Sequence, residues 1–143
     1  MTTLTGPVNQ DGVPERYRRN MEALSPQDQQ RLASSCVALV GLGGLGGYVL
    51  ELLARAGVGH IRCADGDHFE ESNLNRQLLA TDETLGQAKS QAARDRAKRI
   101  NPAVRVETLD RFLTTASEMD AFLLGAHCVV DAWAARRTGP CLW

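Results

Sequence analysis

Between residues 36 and 131 the chain alternates short aliphatic runs with longer segments in which apolar residues return every three or four positions. Cys36-Val37-Ala38-Leu39-Val40 is apolar throughout and ends at glycine, the pattern of a strand buried on both faces. Beyond the glycines, Leu45, Val49, Leu52 and Leu53 recur at helical spacing up to Ala56, and Gly57 is placed to end that helix. His60 to Ala64 reads as a second strand, closed by Asp65-Gly66-Asp67. Residues 68 to 86 are polar and irregular, and a loop of that length inside a compact domain is usually functional. Gln87 to Ile100 carries Ala, Arg and Lys at helix-favouring density and stops at Asn101-Pro102, since proline cannot continue a helix. Val104 to Leu109 alternates as a third strand, Thr115 to Leu124 predicts a helix, and Cys128 to Asp131 a fourth strand ending in an acid. Upstream, Ser25 can cap a short helix with Pro26 in its first turn, running to about Ala33. Residues 1 to 14 lack periodicity and read as a flexible lead-in.

Strand and helix in regular alternation imply parallel strands joined by right-handed crossovers, hence an α/β, Rossmann-like, mostly parallel sheet with helices on both faces. With 143 residues, 43% of them hydrophobic, the chain suits one domain with its own core. The low aromatic share, 5%, argues against an all-β sandwich packed on rings. A formal net charge of -1 supplies no long-range field toward nucleic acid or a membrane, so neither is expected as a partner, and Arg16 to Arg19 lacks the interleaved aromatics of a nucleic-acid patch. The polar start and the lack of a spanning stretch place the protein in the cytoplasm. Cys36, Cys63, Cys128 and Cys141 form no CxxC pair, and three of them lie in apolar stretches, so buried reduced thiols are expected. His60, His68 and His127 show no ligand spacing and are assigned surface or packing roles.

Gly41-Leu42-Gly43-Gly44-Leu45-Gly46-Gly47 contains G-x-G-x-x-G at the junction of strand and helix, where missing Cβ atoms let the backbone turn tightly and approach a phosphate. The helix start then offers free N–H groups to the anion. Asp65, about 20 residues beyond, lies where an acid accepts hydrogen bonds from ribose hydroxyls, a position that fits NAD as well as ATP. Asp67, Asn73, Arg76 and Lys89 follow closely. Phosphoryl chemistry needs cations against developing negative charge, whereas a dinucleotide oxidoreductase gives no reason for such a set.

Arg16-Tyr17-x-Arg19, the glycine turn, Ala56-Gly57-Val58-Gly59, Asp65-Gly66-Asp67, Ser72-Asn73-Leu74-Asn75-Arg76-Gln77, Gly86-x-x-Lys89 and Ile100-Asn101-Pro102 follow one another in an order that resembles the ThiF/MoeB/HesA family, over about residues 16 to 131. Members of that family adenylate the C-terminal carboxylate of a ubiquitin-like or sulfur-carrier protein and release pyrophosphate. The resemblance implies ATP and Mg²⁺ as cofactors, with Gly41, Gly43, Gly44, Gly46, Asp65, Asp67, Asn73, Arg76 and Lys89 holding the nucleotide. Asp65 would take the ribose, and Asn73, Arg76 and Lys89 the phosphates. By the same resemblance Arg19, Arg76, Lys89 and Asp131 are catalytic, Asp131 positions the metal, and Arg19 reaches into the partner subunit's site, which implies a homodimer.

Three segments are therefore expected: an arm over 1–24 with the Arg-Tyr-x-Arg motif, an ATP-binding domain over 25–131, and an atypical tail over 132–143. Family members continue past Asp131 through a second acid and further strands. Here Ala132 to Trp143 brings both tryptophans and no acid, so an out-of-frame or truncated end, with the C-terminal half of the fold missing, is the expectation. Cys141 is given no catalytic role on position alone. An NAD-binding oxidoreductase domain and a non-catalytic nucleotide-binding remnant are the alternatives to adenylation.

Overall fold

The computed structural model describes residues 7, 8, 10 and 12–133. An opening 3-10 helix, Glu15–Glu22, leads to α1, Pro26–Ser34. The Ser25 hydroxyl accepts the Asp28 N–H while the Asp28 carboxylate accepts the Ser25 N–H, so two otherwise unpaired donors at the start of α1 satisfy each other's residue. Then come β1 (Cys36–Val40), α2 (Gly46–Ala56) and β2 (His60–Ala64). Two short 3-10 turns, Glu71–Asn73 and Asp82–Thr84, precede α3 (Lys89–Ile100), β3 (Arg105–Leu109), α4 (Ala116–Leu123) and β4 (Cys128–Asp131). α2 ends as its sequence predicts: Gly57 adopts φ 88°, the left-handed turn that glycine reaches without steric cost.

All strand pairs are parallel, in the order β3-β2-β1-β4. The chain thus builds outward from β1 through β2 to β3, then crosses back to lay β4 on the other side of β1. Register aligns Val40 with Ala64 and Asp131, and Ala64 with Leu109, so the four carboxyl ends form one row. In such sheets the reversal of strand order opens a crevice at that row.

Side chains alternate between two cores, as the pleat requires. Val37, Leu39, Ile61 and Cys63 join Leu50 and Ala54 of α2 and Ala93 and Ala97 of α3. On the opposite face Ala38, Val40 and Ala64 pack with Leu113, Met119 and Phe122 around α4. Arg96 on α3 donates to both carboxylate oxygens of Glu51 on α2, at 2.9 and 3.0 Å, which ties the two helices together on their solvent side.

Three of the family-like motifs meet near the amino-terminal ends of β2 and β3, opposite the row of carboxyl ends, as a structural bracket. Asn101 donates to the Tyr17 hydroxyl at 2.6 Å and to the Ala54 carbonyl at 3.0 Å, and accepts from Arg16 at 2.5 Å. A Cβ on Gly57 would come within 2.7 Å of the Tyr17 ring and of Gln29, so the motif glycine makes room for the motif tyrosine.

Several sequence expectations need correction. Cys128 is exposed, unlike the buried Cys36 and Cys63, because β4 has a neighbour on one side only and its faces are thinly covered. Val13 and Pro14, placed in the lead-in, are buried. The polar segment 68–86 also supplies Phe69, Leu79 and Ala80 to the core; their spacing follows no period because the backbone between them is neither helix nor strand. The remaining lead-in positions, 1–6, 9 and 11, and the tail from 134, Cys141 included, lie outside the described residues.

Candidate functional site

The row of strand ends opens on a cleft of about 530 Å³. Its floor is the glycine turn. Gly41 sits at φ 90°, and a Cβ there would press within 2.9 Å of the Ala132 carbonyl and the Trp133 nitrogen, so both conformation and space demand glycine. A Cβ on Gly46 would overlap the Gly41 carbonyl oxygen. Gly46 therefore does not line the cleft; it lets α2 start directly against the turn. Leu45 at the N-cap provides no side-chain cap, and the Gly47 N–H already donates to the Gly43 carbonyl at 3.2 Å, so what the start of α2 offers an anion is the positive end of its dipole.

Asp65 stands at one end of the cleft, 9% exposed. Its Oδ2 accepts the Leu42 N–H at 2.7 Å and its Oδ1 the Asp67 N–H at 2.8 Å, so two backbone amides fix the carboxylate while each oxygen keeps a further lone pair for a hydroxyl. Lys89 opens α3, with its N–H donating to the Asp67 carbonyl at 3.0 Å. Its ammonium lies 3.4 Å from the Asp67 carboxylate and 5.8 Å from the centre of the Phe69 ring, and the residue is only 5% exposed. The carboxylate and the ring face are the two groups packed against this buried ammonium.

The segment 73–77 forms the wall above the glycines. Asn73 is buried and its Oδ1 accepts the Glu70 N–H at 3.0 Å. Arg76 packs its stem over Gly44 and donates to the Ser72 carbonyl at 2.9 Å and to Asn75 at 3.0 Å, leaving an exposed guanidinium at the cleft margin. Asp131 is exposed at the far side, one carboxylate oxygen accepting the Trp133 N–H at 3.0 Å.

The cleft therefore brings together Gly41, Gly43, Gly44, Asp65, Asp67, Asn73, Arg76, Lys89 and Asp131. Arg19 is not among its lining residues; the side chain is 90% exposed and pairs with Glu22. Gln77, Arg111, Phe112, Leu113 and Trp133 line the cleft without having been singled out as site residues from sequence. Gln77 is 6% exposed, and its buried Oε1 has no hydrogen-bond partner beside Gly43. The rule that ligands sit at carboxyl ends of strands applies equally to the residues after β3 and β4, and is the signal that would have found the others. Among the described residues no three His, Cys, Asp or Glu cluster as a metal cage. Asp131 suits a Mg²⁺ held mainly by phosphate oxygens and water, which needs only one or two protein carboxylates.

The sequence profile of the ThiF family matches residues 17–139. The sulfur carrier protein adenylyltransferase of Thermus thermophilus is 41% identical over 120 residues, 82% of this chain and 44% of that protein. The tRNA threonylcarbamoyladenosine dehydratase of Haemophilus influenzae is 33% identical, over 85% of this chain and 47% of that one. Among solved structures, the Escherichia coli tRNA threonylcarbamoyladenosine dehydratase TcdA in complex with ATP superposes with a TM-score of 0.79 at 32% identity, covering 83% of this chain and 49% of its own. The chain thus spans about half the length of the relatives it matches.

Proposed function

The chain belongs to the ThiF family, and from that premise we propose that its cleft binds ATP with Mg²⁺ for the adenylation of a carboxylate, that of a ubiquitin-like or sulfur-carrier protein's C-terminus. The observation that carries the reading is the pairing of a fixed ribose-type carboxylate, Asp65, with a buried lysine and an arginine across a glycine turn. In the reaction a carboxylate oxygen attacks the α-phosphorus, a new P–O bond forms, and the bond to pyrophosphate breaks. Two anions approach, and charge moves toward the leaving group. Lys89, pinned by Asp67, offers a fixed cation that needs no rearrangement as that charge grows, and Arg76 offers a fork that can follow phosphate oxygens. Asp131 would hold a Mg²⁺, which would supply positive charge against the leaving group. Arg19, exposed on the opening 3-10 helix, suits a residue given to a second copy of the chain in a homodimer.

Likeness to the tRNA threonylcarbamoyladenosine dehydratases favours a second reading, in which the activated carboxylate belongs to a modified nucleoside. Calorimetric titration with ATP and Mg²⁺, with NAD as control, tests the shared part. We expect saturable ATP binding, no NAD binding, and at least tenfold weaker ATP binding in Asp65→Ala, the scale of hydrogen bonds to a charged group, about 1.5–3 kcal/mol. Uptake of NAD instead, or an unaltered D65A, would refute it. Pyrophosphate release stimulated by a sulfur-carrier protein rather than by tRNA separates the two substrates.

A further inference from the structure

Phe112 follows β3, and Trp133 follows β4. The loop after β3 carries the phenylalanine back across the strand ends until its ring lies against Gly66, where a Cβ would meet the ring at 2.8 Å. Gly66 is the residue next to Asp65, so the ring stands beside the carboxylate assigned to the ribose. Trp133 reaches the same place from the other side. Its backbone nitrogen abuts Gly41, and its indole lies over Phe112 with ring centres 6.1 Å apart and planes 12° from parallel. Both rings line the cleft and both remain about two-fifths exposed, 40% and 41%, which is unusual for large aromatics that already touch each other. A pair of near-parallel rings with an open face, hinged on two glycines of the site, has the shape of a platform for a third flat ring.

We propose that Phe112 and Trp133 form the shelf on which the nucleobase stacks, so that this pair sets the base preference of the site. The inference rests on the nucleotide reading above. A nucleotide with its phosphates at the glycine turn and its ribose on Asp65 extends its base away from the phosphates, and the Gly66–Phe112 contact is the wall it meets. Aromatic faces reward ring area more than hydrogen-bond pattern. The shelf therefore favours purines over pyrimidines and contributes nothing to the phosphates.

The test compares ATP, CTP and inorganic tripolyphosphate, each with Mg²⁺, on the full chain carrying Trp143→Phe so that Trp133 is its one tryptophan. The parent is expected to bind ATP about tenfold more tightly than CTP, with quenching of Trp133 fluorescence by ATP. Phe112→Ala and Trp133→Ala weaken ATP by roughly tenfold, the scale of losing one base–aromatic stack, while tripolyphosphate stays within about twofold. Trp133→Phe retains most of the ATP affinity, and a cooperative melt of each variant verifies its fold. ATP bound equally by the parent and both alanine variants overturns the shelf and leaves the nucleotide reading standing. Equal loss of ATP and tripolyphosphate in a folded variant also overturns it, because the rings would then be shaping the phosphate turn. A parent that takes up neither ATP nor tripolyphosphate overturns the nucleotide reading itself.

Discussion

A buried polar side chain is kept only where several partners repay its desolvation, and Asn101, 1% exposed, has Tyr17, Arg16 and the Ala54 carbonyl. Asn101→Ala strands the last of these and the Tyr17 hydroxyl together. We expect it to lower unfolding free energy by about 2–3 kcal/mol in urea titration, with the ATP affinity of the folded fraction unchanged, since the bracket lies at the opposite ends of the strands from the cleft. The thiols give a second measurement. Burial pushes Cys63 up to about 12, with Arg94 pulling weakly the other way, whereas Cys128 is exposed. In a Cys141→Ser background, Cys128 should label quickly with a thiol reagent at pH 8 and Cys63 only on unfolding. Protection of Cys63 holds below pH 9.0, the ordinary thiol value, and fades as pH rises toward about 12. At this scale the sequence was legible where a residue type had one use at its position. The place of Asp65, at a strand end in the cleft beyond the glycines, was legible in that way, though not which nucleotide it serves. Lys89 was named among the site residues but its burial was not legible, because a lysine in a polar helix carries no mark of it; only the fold puts its ammonium between Asp67 and Phe69. Phe112 and Trp133 were illegible together, since their contact joins two loops that are distant in sequence.

Elements with strong periods came out within a residue or two of the pattern, because alternation and caps are local: β1, β2 and β4 match their runs, and α2 stops at Gly57. What local pattern does not contain is coverage. Cys128-Val-Val-Asp131 reads as a fourth strand with a cysteine expected to be buried, yet Cys128 is exposed and Val129 is 43% exposed, since coverage depends on what lies alongside. α4 offers a test of capping. Thr115 accepts the Glu118 N–H at 3.2 Å, and Glu118 accepts from the Thr114 N–H, the Thr114 hydroxyl and Arg111. The Thr114 amide, then its hydroxyl, then Arg111 pull the Glu118 carboxyl from 4.5 down to about 2. A depressed carboxyl pKa stabilises the fold above its unfolded value and loses that contribution as pH falls from 4.5 through about 2. Thermal midpoints followed over that window should drop further for the wild type than for Glu118→Gln. Thr115→Ala should cost about 1 kcal/mol at neutral pH.

Over the whole molecule, the cleft gathers the ends of β1, β2 and β4 and the loop after β3, so any ligand that fills it spans the sheet. Binding to the native state alone then stabilises the entire unit. ATP at a hundred times its dissociation constant adds about 2.7 kcal/mol, and a differential scanning measurement should find the midpoint raised by roughly 5–11 °C, with at most about half that rise in Asp65→Ala at the same ATP concentration. The order β3-β2-β1-β4 has a further consequence in time. As the chain leaves the ribosome, β2 and β3 can pair outward from β1 as each appears, but the last strand belongs beside the first. Until residues 128–133 have cleared the exit tunnel, the flank of β1 stays open, and neither Asp131 nor Trp133 has reached the glycine turn. Between the completion of β3 and the arrival of β4 the nascent chain is thus a three-stranded body with one flank of β1 unpaired, exposed to holdases and to misdirected strand pairing. The cleft, which Asp131 and Trp133 help to line, is complete only once β4 is in place.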